Sequence, residues 1–134
     1  MKILVPLDGS PLAEVALPVA ERLAKRLTAT IVLVSVAPPP ESAAQTAEAR
    51  DLLIRQLEPA VERLRGLPVE ERLELLGEPA EGIVQVAREE DVAMIVMATH
   101  GRSGLSDLVQ GSTAEAVLRR SPVPVTLVRP NPAT

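Results

Sequence analysis

The chain has 134 residues and a mass of 14.2 kDa, which suffices for one domain with a hydrophobic core and is too short for two. Hydrophobic residues make up 46% and charged residues 24%, as in ordinary soluble globular proteins, and the net charge of −4 argues against a nucleic-acid partner. The sequence has no cysteine, one histidine and no aromatic residue, which excludes disulfides, thiolate chemistry, a multi-histidine metal centre and aromatic stacking on bases.

Five short apolar runs predict five β-strands. They cover residues 3–5, 30–36, 69–76, 92–97 and 123–128. The first, second and fourth runs are nearly continuously apolar and rich in valine and isoleucine, which is typical of strands buried on both faces of a parallel sheet. In the third run Leu73 and Leu75 alternate with charged residues, which indicates a half-exposed strand at an edge of the sheet.

Helical patterns separate the strands. The predicted helices cover residues 12–27, 42–64, 80–89 and 112–120. The apolar face of the first helix is predicted to consist of Leu12, Val15, Ala16, Val19, Leu23 and Leu27. Pro18 and Pro59 are expected to kink the first and second helices. Strict alternation of strands and helices predicts an α/β fold with one parallel sheet and helices on both faces.

The segment after the fourth strand carries the most informative pattern for a binding site, because ligands of open α/β sheets bind beyond the carboxyl ends of the strands. Gly101, Gly104 and Gly111 permit close approach of a ligand to the backbone. Gly111, Ser112 and Thr113 open the fourth helix, whose free N–H groups and dipole favour an anion such as phosphate. The same residues are also typical of an ordinary helix N-cap, and this alternative stays open.

Several familiar catalytic and nucleotide-binding motifs are absent from the sequence. It contains neither a P-loop nor the dinucleotide-binding glycine motif after the first strand, and it lacks the Gly-x-Ser-x-Gly motif of α/β-hydrolases. Histidine is a common general base, but no aspartate or nucleophile accompanies His100 in the sequence, so a structural role in a loop is expected. No catalytic residue is therefore predicted.

Four segments in order along the chain carry a family pattern. They read Val-Pro-Leu-Asp-Gly-Ser at 5–10, Met-Ala-Thr-His-Gly-Arg-Ser-Gly at 97–104, Gly-Ser at 111–112 and Pro-Val-Pro-Val at 122–125. This combination resembles the universal stress protein family, many of whose members bind ATP through Gly-x2-Gly-x9-Gly-Ser/Thr. Gly101 is followed by nine residues and then Gly111-Ser112, whereas Ala98 stands in place of the first glycine.

The resemblance implies the fold of the chain and the boundaries of its domain. It implies a single domain over residues 1–130 and a three-layer sandwich like that of the adenine-nucleotide α-hydrolases. Residues 131–134 are expected to form a frayed tail, as chain ends commonly do. The parallel sheet would have five strands in the order 3-2-1-4-5.

The resemblance also implies an ATP site, with Mg²⁺ or Mn²⁺ bridging the phosphates and no protein side chain as a dedicated metal ligand. Pro6, Leu7 and Asp8 would line the adenine and ribose, with Asp8 accepting a hydrogen bond from a ribose hydroxyl, and Val36 would flank the adenine. The phosphates would be held by Met97, Ala98, Gly101, Arg102, Gly111, Ser112 and Thr113. Without the resemblance, Asp8 is better explained as a turn or cap residue. Arg102 is equally compatible with a phosphate contact and with a solvated side chain.

The last predicted strand is an edge strand in the family's order, and an apolar edge tends to pair with another chain. Members of the family commonly form homodimers through this strand. The implied interface consists of Val123, Val125, Thr126, Leu127 and Val128. The alternative is that Pro122 and Pro124 protect the edge of a monomer.

We therefore expect a cytoplasmic, ATP-binding, dimeric sensor or regulatory module of the stress response, with an unknown protein partner and at most incidental ATP hydrolysis. No apolar run could span a membrane, and no signal peptide is recognisable. One alternative is a nucleotide-free dimeric stress or scaffold protein, which Ala98 favours and Gly101, Gly111 and Ser112 oppose. The other is a slow ATP hydrolase or a nucleotidyl or phosphoryl transferase, which the short chain disfavours because a second substrate needs additional residues.

Overall fold

A computed structural model describes residues 1–8, 13–36, 41–74, 78–99 and 113–129. These residues form a five-stranded parallel sheet in the order β3-β2-β1-β4-β5. The strands are β1 (Lys2–Pro6), β2 (Thr30–Val36), β3 (Val69–Glu74), β4 (Met94–Ala98) and β5 (Val125–Val128). The helices are α1 (Ala16–Leu27), α2 (Ala43–Arg63), α3 (Pro79–Glu89) and α4 (Thr113–Arg120), and a short 3-10 turn (Ala13–Val15) precedes α1. The expected fold and strand order are confirmed.

Helices cover both faces of the sheet, and each face has its own core. The cluster beneath α1 and α2 contains Ile3 and Ile31, whereas the cluster beneath α3 and α4 contains Leu4 and Val32. Successive side chains of a strand point to opposite faces, so neighbouring residues enter different clusters. Because both faces are covered, the inner strands must be apolar throughout, which explains their continuous apolar runs.

The edge strand β3 is covered on one face by apolar packing and on the other by charge. Val69 and Leu73 pack against the cluster beneath α1 and α2, which confirms the predicted half-exposed edge. On the opposite face lies a set of charged residues that we call the β3 ion-pair network. Its members are Lys2, Glu70, Arg72, Glu74, Glu89 and Glu90.

The last two strands begin later than predicted. β4 begins at Met94 and β5 at Val125, so Val92 and Val123 precede the strands in which they were expected. Both valines pack against the cluster beneath α3 and α4, and their apolar character reflects that burial rather than strand pairing. The predicted end of β3 at residues 75–76 lies outside the described residues, and β3 is described as far as Glu74.

The first helix differs from its prediction in the role of its proline and in its buried face. Pro18 lies in the first turn of α1, directly after the 3-10 turn, and not in the helix interior as predicted. A backbone N–H at this position would have no acceptor within α1, so proline is tolerated there. The buried residues are Ala16, Leu17, Ala20 and Ala24. Val19 and Leu23 of the predicted apolar face pack partly buried against the core, as expected. Leu27, the last residue of the helix, is 39% exposed, contrary to the prediction, and Leu12 lies outside the described residues.

The second helix has nearly the predicted bounds. The Ser42 hydroxyl caps α2 by accepting a hydrogen bond from the Gln45 N–H at 3.2 Å, and Pro59 lies inside the helix. Among the residues that the structure describes, no helix is long and apolar enough to cross a bilayer.

Candidate functional site

The sheet opens between β1 and β4 at its carboxyl edge. On one side of the opening, β1 stays paired with β2 as far as Pro6, and the Leu7 N–H continues this ladder by donating to the Val34 carbonyl at 2.9 Å. By contrast, the pairing of β1 with β4 is confined to Ile3 and Leu4. The carboxyl end of β1 therefore follows β2 away from β4.

On the other side of the opening, β4 stays joined to β5. Their pairing extends to Ala98 opposite Val128, and the Thr99 N–H donates to the Val128 carbonyl at 2.9 Å. The two halves of the sheet thus separate where the strand order reverses, which is the place where open α/β sheets bind their ligands.

A cavity of about 170 Å³ lies in this opening. Strands β1, β2 and β4 and the beginnings of α3 and α4 form its walls together with the 3-10 turn. Among the residues that the structure describes, those that line it are Pro6, Leu7, Asp8, Ala13, Val34, Val36, Pro79, Ile83, Met97, Ala98, Thr113 and Ala114. Ten of these twelve residues are apolar, and only Asp8 and Thr113 have side chains that form hydrogen bonds. Such a lining suits a flat, largely apolar group with a few polar contacts at its rim.

The structure brings together the predicted nucleotide-binding residues that it describes. Pro6, Leu7, Asp8, Val36, Met97, Ala98 and Thr113 all line the cavity. The predicted residues Gly101, Arg102, Gly111 and Ser112 lie outside the described residues, as does His100. The role of each residue toward a nucleotide stays a prediction.

Five lining residues were not anticipated from the sequence: Ala13, Val34, Pro79, Ile83 and Ala114. Pro79 could have been predicted from the sequence, because proline is common at the first position of a helix. A helix that follows a parallel strand starts at the carboxyl edge of the sheet, which places its first residue near the cavity. Ile83 lies one helical turn further along α3 and therefore points the same way.

The backbone of β1 offers the opening a hydrogen-bond acceptor and no donor near Pro6. Pro6 has no N–H, and the Leu7 N–H is already bonded to Val34. Successive carbonyls of this strand face alternate neighbours, since the Met1 carbonyl accepts from β2 and the Lys2 carbonyl from the residue before β4. The Pro6 carbonyl accordingly faces the β4 side, where the sheet has opened. This stretch can accept a hydrogen bond from a ligand amino group.

The beginning of α4 gives the cavity a positively polarised rim. Thr113 is the first residue of the helix and lines the cavity, while Arg119 and Arg120 lie in the last turn. The first N–H groups of a helix have no acceptor within it, and its dipole places partial positive charge at that end. The arrangement can receive an anionic group of a ligand whose apolar part fills the cavity.

Among the described residues, the groups with shifted pKa values belong to the β3 ion-pair network, and Lys2 begins β1 at the end opposite the cavity. Hydrogen bonds to Glu90 and Glu70 raise the pKa of Lys2, and hydrogen bonds from Lys2 and Arg72 lower the pKa of Glu90. The hydrogen bond from Arg72 likewise lowers the pKa of Glu89. These shifts indicate a stabilising network. In the described ranges, no three histidine or carboxylate side chains are arranged to hold a metal ion.

The sequence matches the model of the universal stress protein family over residues 1–129. The chain belongs to this family. A universal stress protein of Thermus aquaticus is 35% identical over 133 residues, which cover 95% of this chain and 97% of the relative. The universal stress protein YxiE of Bacillus subtilis is 29% identical over 148 residues, covering 96% and 98% of the two chains.

Solved universal stress proteins have the same fold. One from Archaeoglobus fulgidus is 30% identical, with a TM-score of 0.77 over 95% of this chain and 92% of that one. Another, a universal stress protein from Archaeoglobus fulgidus in complex with dAMP, is 28% identical, with a TM-score of 0.72 over 95% and 96% of the chains. The family resemblance drawn from the sequence motifs is thereby confirmed.

Proposed function

We propose that the cavity between β1 and β4 binds the base of an adenine nucleotide, including ATP, and that this nucleotide controls a dimeric regulatory module of the cytoplasmic stress response. The observation that carries the proposal is the apolar cavity at the opening of the sheet, bordered by the first residue of α4. The relative solved in complex with dAMP supports an adenine nucleotide as the ligand.

The size and lining of the cavity fit a base rather than a whole nucleotide. Its volume of about 170 Å³ lies below the roughly 300 Å³ at which pockets for drug-sized ligands begin. Val36, Ile83 and Met97 would contact the ring with aliphatic groups, in keeping with the absence of aromatic residues. The phosphates would then lie beyond the cavity, toward the N–H groups at Thr113 and toward Gly111 and Ser112, which precede it in sequence.

Base identity would be decided at the Pro6 carbonyl. Adenine carries an amino group at position 6, which donates a hydrogen bond, whereas hypoxanthine and guanine carry an oxygen there. An oxygen facing the Pro6 carbonyl would place two acceptors together and leave the buried carbonyl without a donor. We therefore propose that the cavity selects adenine over 6-oxopurines.

The polar rim would orient the sugar and the phosphates. The Asp8 carboxylate would accept a hydrogen bond from a ribose hydroxyl, and the dipole of α4 would attract the phosphates. Mg²⁺ or Mn²⁺ would arrive with the phosphates and neutralise part of their charge. We propose a binding module rather than an enzyme, because the described lining supplies Asp8 and Thr113 as its only polar side chains.

Isothermal titration calorimetry with AMP, ATP and IMP tests the proposal. AMP and ATP should bind, and IMP should bind at least about 10-fold more weakly because the Pro6 carbonyl loses its donor. Ala98→Leu places a larger side chain in the cavity wall and should weaken AMP binding by at least about 10-fold. Ala47→Leu, at an exposed position of α2, is the matched control and should bind as the native protein does.

Three results would contradict the proposal. The absence of binding by any adenine nucleotide at millimolar concentration would favour the nucleotide-free dimer. Unchanged AMP affinity in a folded Ala98→Leu protein would mean that the nucleotide binds elsewhere. Turnover of ATP at rates typical of enzymes, roughly 1 per second or faster, would overturn the assignment as a binding module.

A further inference from the structure

A second concave surface lies between α2 and β3 and shares no residue with the cavity. This α2–β3 groove has a volume of about 540 Å³ and is lined by Ile54, Glu58, Pro59, Val61, Glu62 and Glu71. We propose that the groove binds a basic amphipathic segment of a partner protein. The apolar side chains of that segment would cover the floor of the groove, and its lysine or arginine side chains would face the glutamates.

The floor of the groove presents apolar surface that the fold leaves in contact with water. Leu53 and Leu57 turn inward from α2 and are buried, whereas Ile54 is 43% exposed and lines the groove. Val61 is half-buried against the core and extends the apolar floor. A partner that covered Ile54 would gain the free energy of removing its side chain from water.

The rim of the groove carries three glutamates, two of which have no ion-pair partner among the described residues. Arg65 donates a hydrogen bond to Glu62, so this carboxylate already has a cation. Glu58 and Glu71 form no ion pair with any residue in the described ranges. Two such carboxylates beside an apolar floor are complementary to a segment with both apolar and basic side chains.

A second copy of this chain fits the groove less well. A symmetric contact between two such grooves would bring Glu58 and Glu71 close to their copies, and like charges at an interface are unfavourable. Charged residues along β3, among them Glu70 and Arg72, also oppose pairing of that edge with another strand.

The groove between α3 and α4 lacks this one-sided charge. Its lining includes Glu81 and Glu89 but also Arg88 and Arg120. Arg120 donates to Glu78 at 3.0 Å, and Glu89 accepts from Arg72. Its lining thus carries charges of both signs, whereas the charged residues that line the α2–β3 groove are all glutamates.

Fluorescence anisotropy with a designed peptide tests the proposal. The probe is a labelled peptide of about 14 residues made of leucine and lysine, with leucine at helical spacing so that one face is apolar. Ile54→Ser and the double variant Glu58→Gln/Glu71→Gln should each weaken binding by about 5-fold or more. The matched controls are Leu52→Ser and Glu48→Gln, exposed positions of α2 outside the groove, and both should stay within about twofold of the native affinity.

Further outcomes decide the chemistry of the partner. Binding should weaken as salt rises to about 150 mM, and a leucine and glutamate peptide of the same pattern should bind far more weakly. AMP affinity should be unchanged in all four variants, which separates this surface from the proposed nucleotide site. The double variant alters only exposed side chains and keeps the test valid if Ile54→Ser unfolds.

The proposal is overturned if the groove variants bind the peptide as well as the controls do. It is equally overturned if the acidic peptide binds as tightly as the basic one. Self-association of the native protein that Ile54→Ser abolishes would assign the groove to a second copy of the chain instead.

Discussion

Arg72 is the centre of the β3 ion-pair network, and its replacement by methionine should destabilise the fold measurably. Its guanidinium donates to Glu74, Glu89 and Glu90 at 2.9, 2.6 and 2.6 Å. Methionine keeps an apolar stem at this position and removes the charge. The side chains of Glu74 and Glu90 are only 14% and 17% exposed, so the variant leaves partly buried carboxylates with fewer cations.

The expected loss in the free energy of unfolding is about 2 kcal/mol at neutral pH, between the less than about 1 kcal/mol of an exposed ion pair and the roughly 3–5 kcal/mol for breaking a buried one. Lys2 donates a hydrogen bond to Glu90 at 2.7 Å and remains in the variant. The expected loss of stability therefore lies nearer to the value for an exposed ion pair. Arg119→Met is the control, because Arg119 is 75% exposed and 3.7 Å from Glu115. Its effect should stay within about 0.5 kcal/mol.

The effect of Arg72→Met should depend on pH. Hydrogen bonds from Lys2 and Arg72 hold the pKa of Glu90 below its ordinary value of 4.5. A carboxylate with a lowered pKa in the folded state contributes stability above its unfolded pKa and loses it as the pH falls through the folded pKa. The stability difference between the two proteins should therefore be constant near neutrality and narrow below about pH 4.5.

Urea unfolding followed by far-ultraviolet circular dichroism, at about pH 7 and about pH 3, measures the effect. Equal stability of the native and Arg72→Met proteins at neutral pH would refute the stabilising role of the network. A difference that is as large in acid as at neutrality would show that methionine acts through packing rather than through charge.

Three further predictions concern the core, the cavity and the last strand. Leu57→Ala should lower the free energy of unfolding by about 2–5 kcal/mol, because Leu57 is fully buried, whereas Leu52→Ala at an exposed position should change it by less than about 0.5 kcal/mol in urea titrations. Ala98→Gly should lower the free energy of unfolding by about 0.5–1 kcal/mol, because Ala98 is a regular strand residue opposite Val128. The AMP affinity measured by calorimetry should stay within about threefold of the native value, because the methyl group of Ala98 is compatible with the cavity. Leu127 is 38% exposed on an edge strand, so Leu127→Lys should shift the sedimenting species from dimer to monomer; a native protein that sediments as a monomer would contradict the proposed interface.

The inner strands of the sheet could be predicted from the sequence, because strands buried on both faces form nearly continuous apolar runs. The strand Thr30–Val36 has the predicted bounds, since its continuous apolar run coincides with its pairing on both sides. Apolar character does not separate a strand from buried backbone beside it, which is why Val92 and Val123 were assigned to strands that begin after them. Pro18 shows the same limit for helices, because its effect depends on where the helix begins.

The candidate site was predictable where a motif marked it and not where only packing formed it. The motif residues Pro6, Asp8 and Ala98 line the cavity. Ile83 and Ala114 carry no motif and enter the lining through the packing of α3 and α4 on the sheet. The separation of β1 from β4 arises from the twist and pairing of the whole sheet, and no local pattern in either strand indicates it.

Intermolecular nuclear Overhauser effects from bound AMP test the location of the nucleotide most directly. With the valine, isoleucine and methionine methyl groups labelled, the adenine protons should show cross-peaks to Val36, Ile83 and Met97, which the cavity brings together from β2, α3 and β4. Cross-peaks from bound adenine to other methyl groups, with none to these three, would contradict the assignment of the opening between β1 and β4 as the nucleotide site.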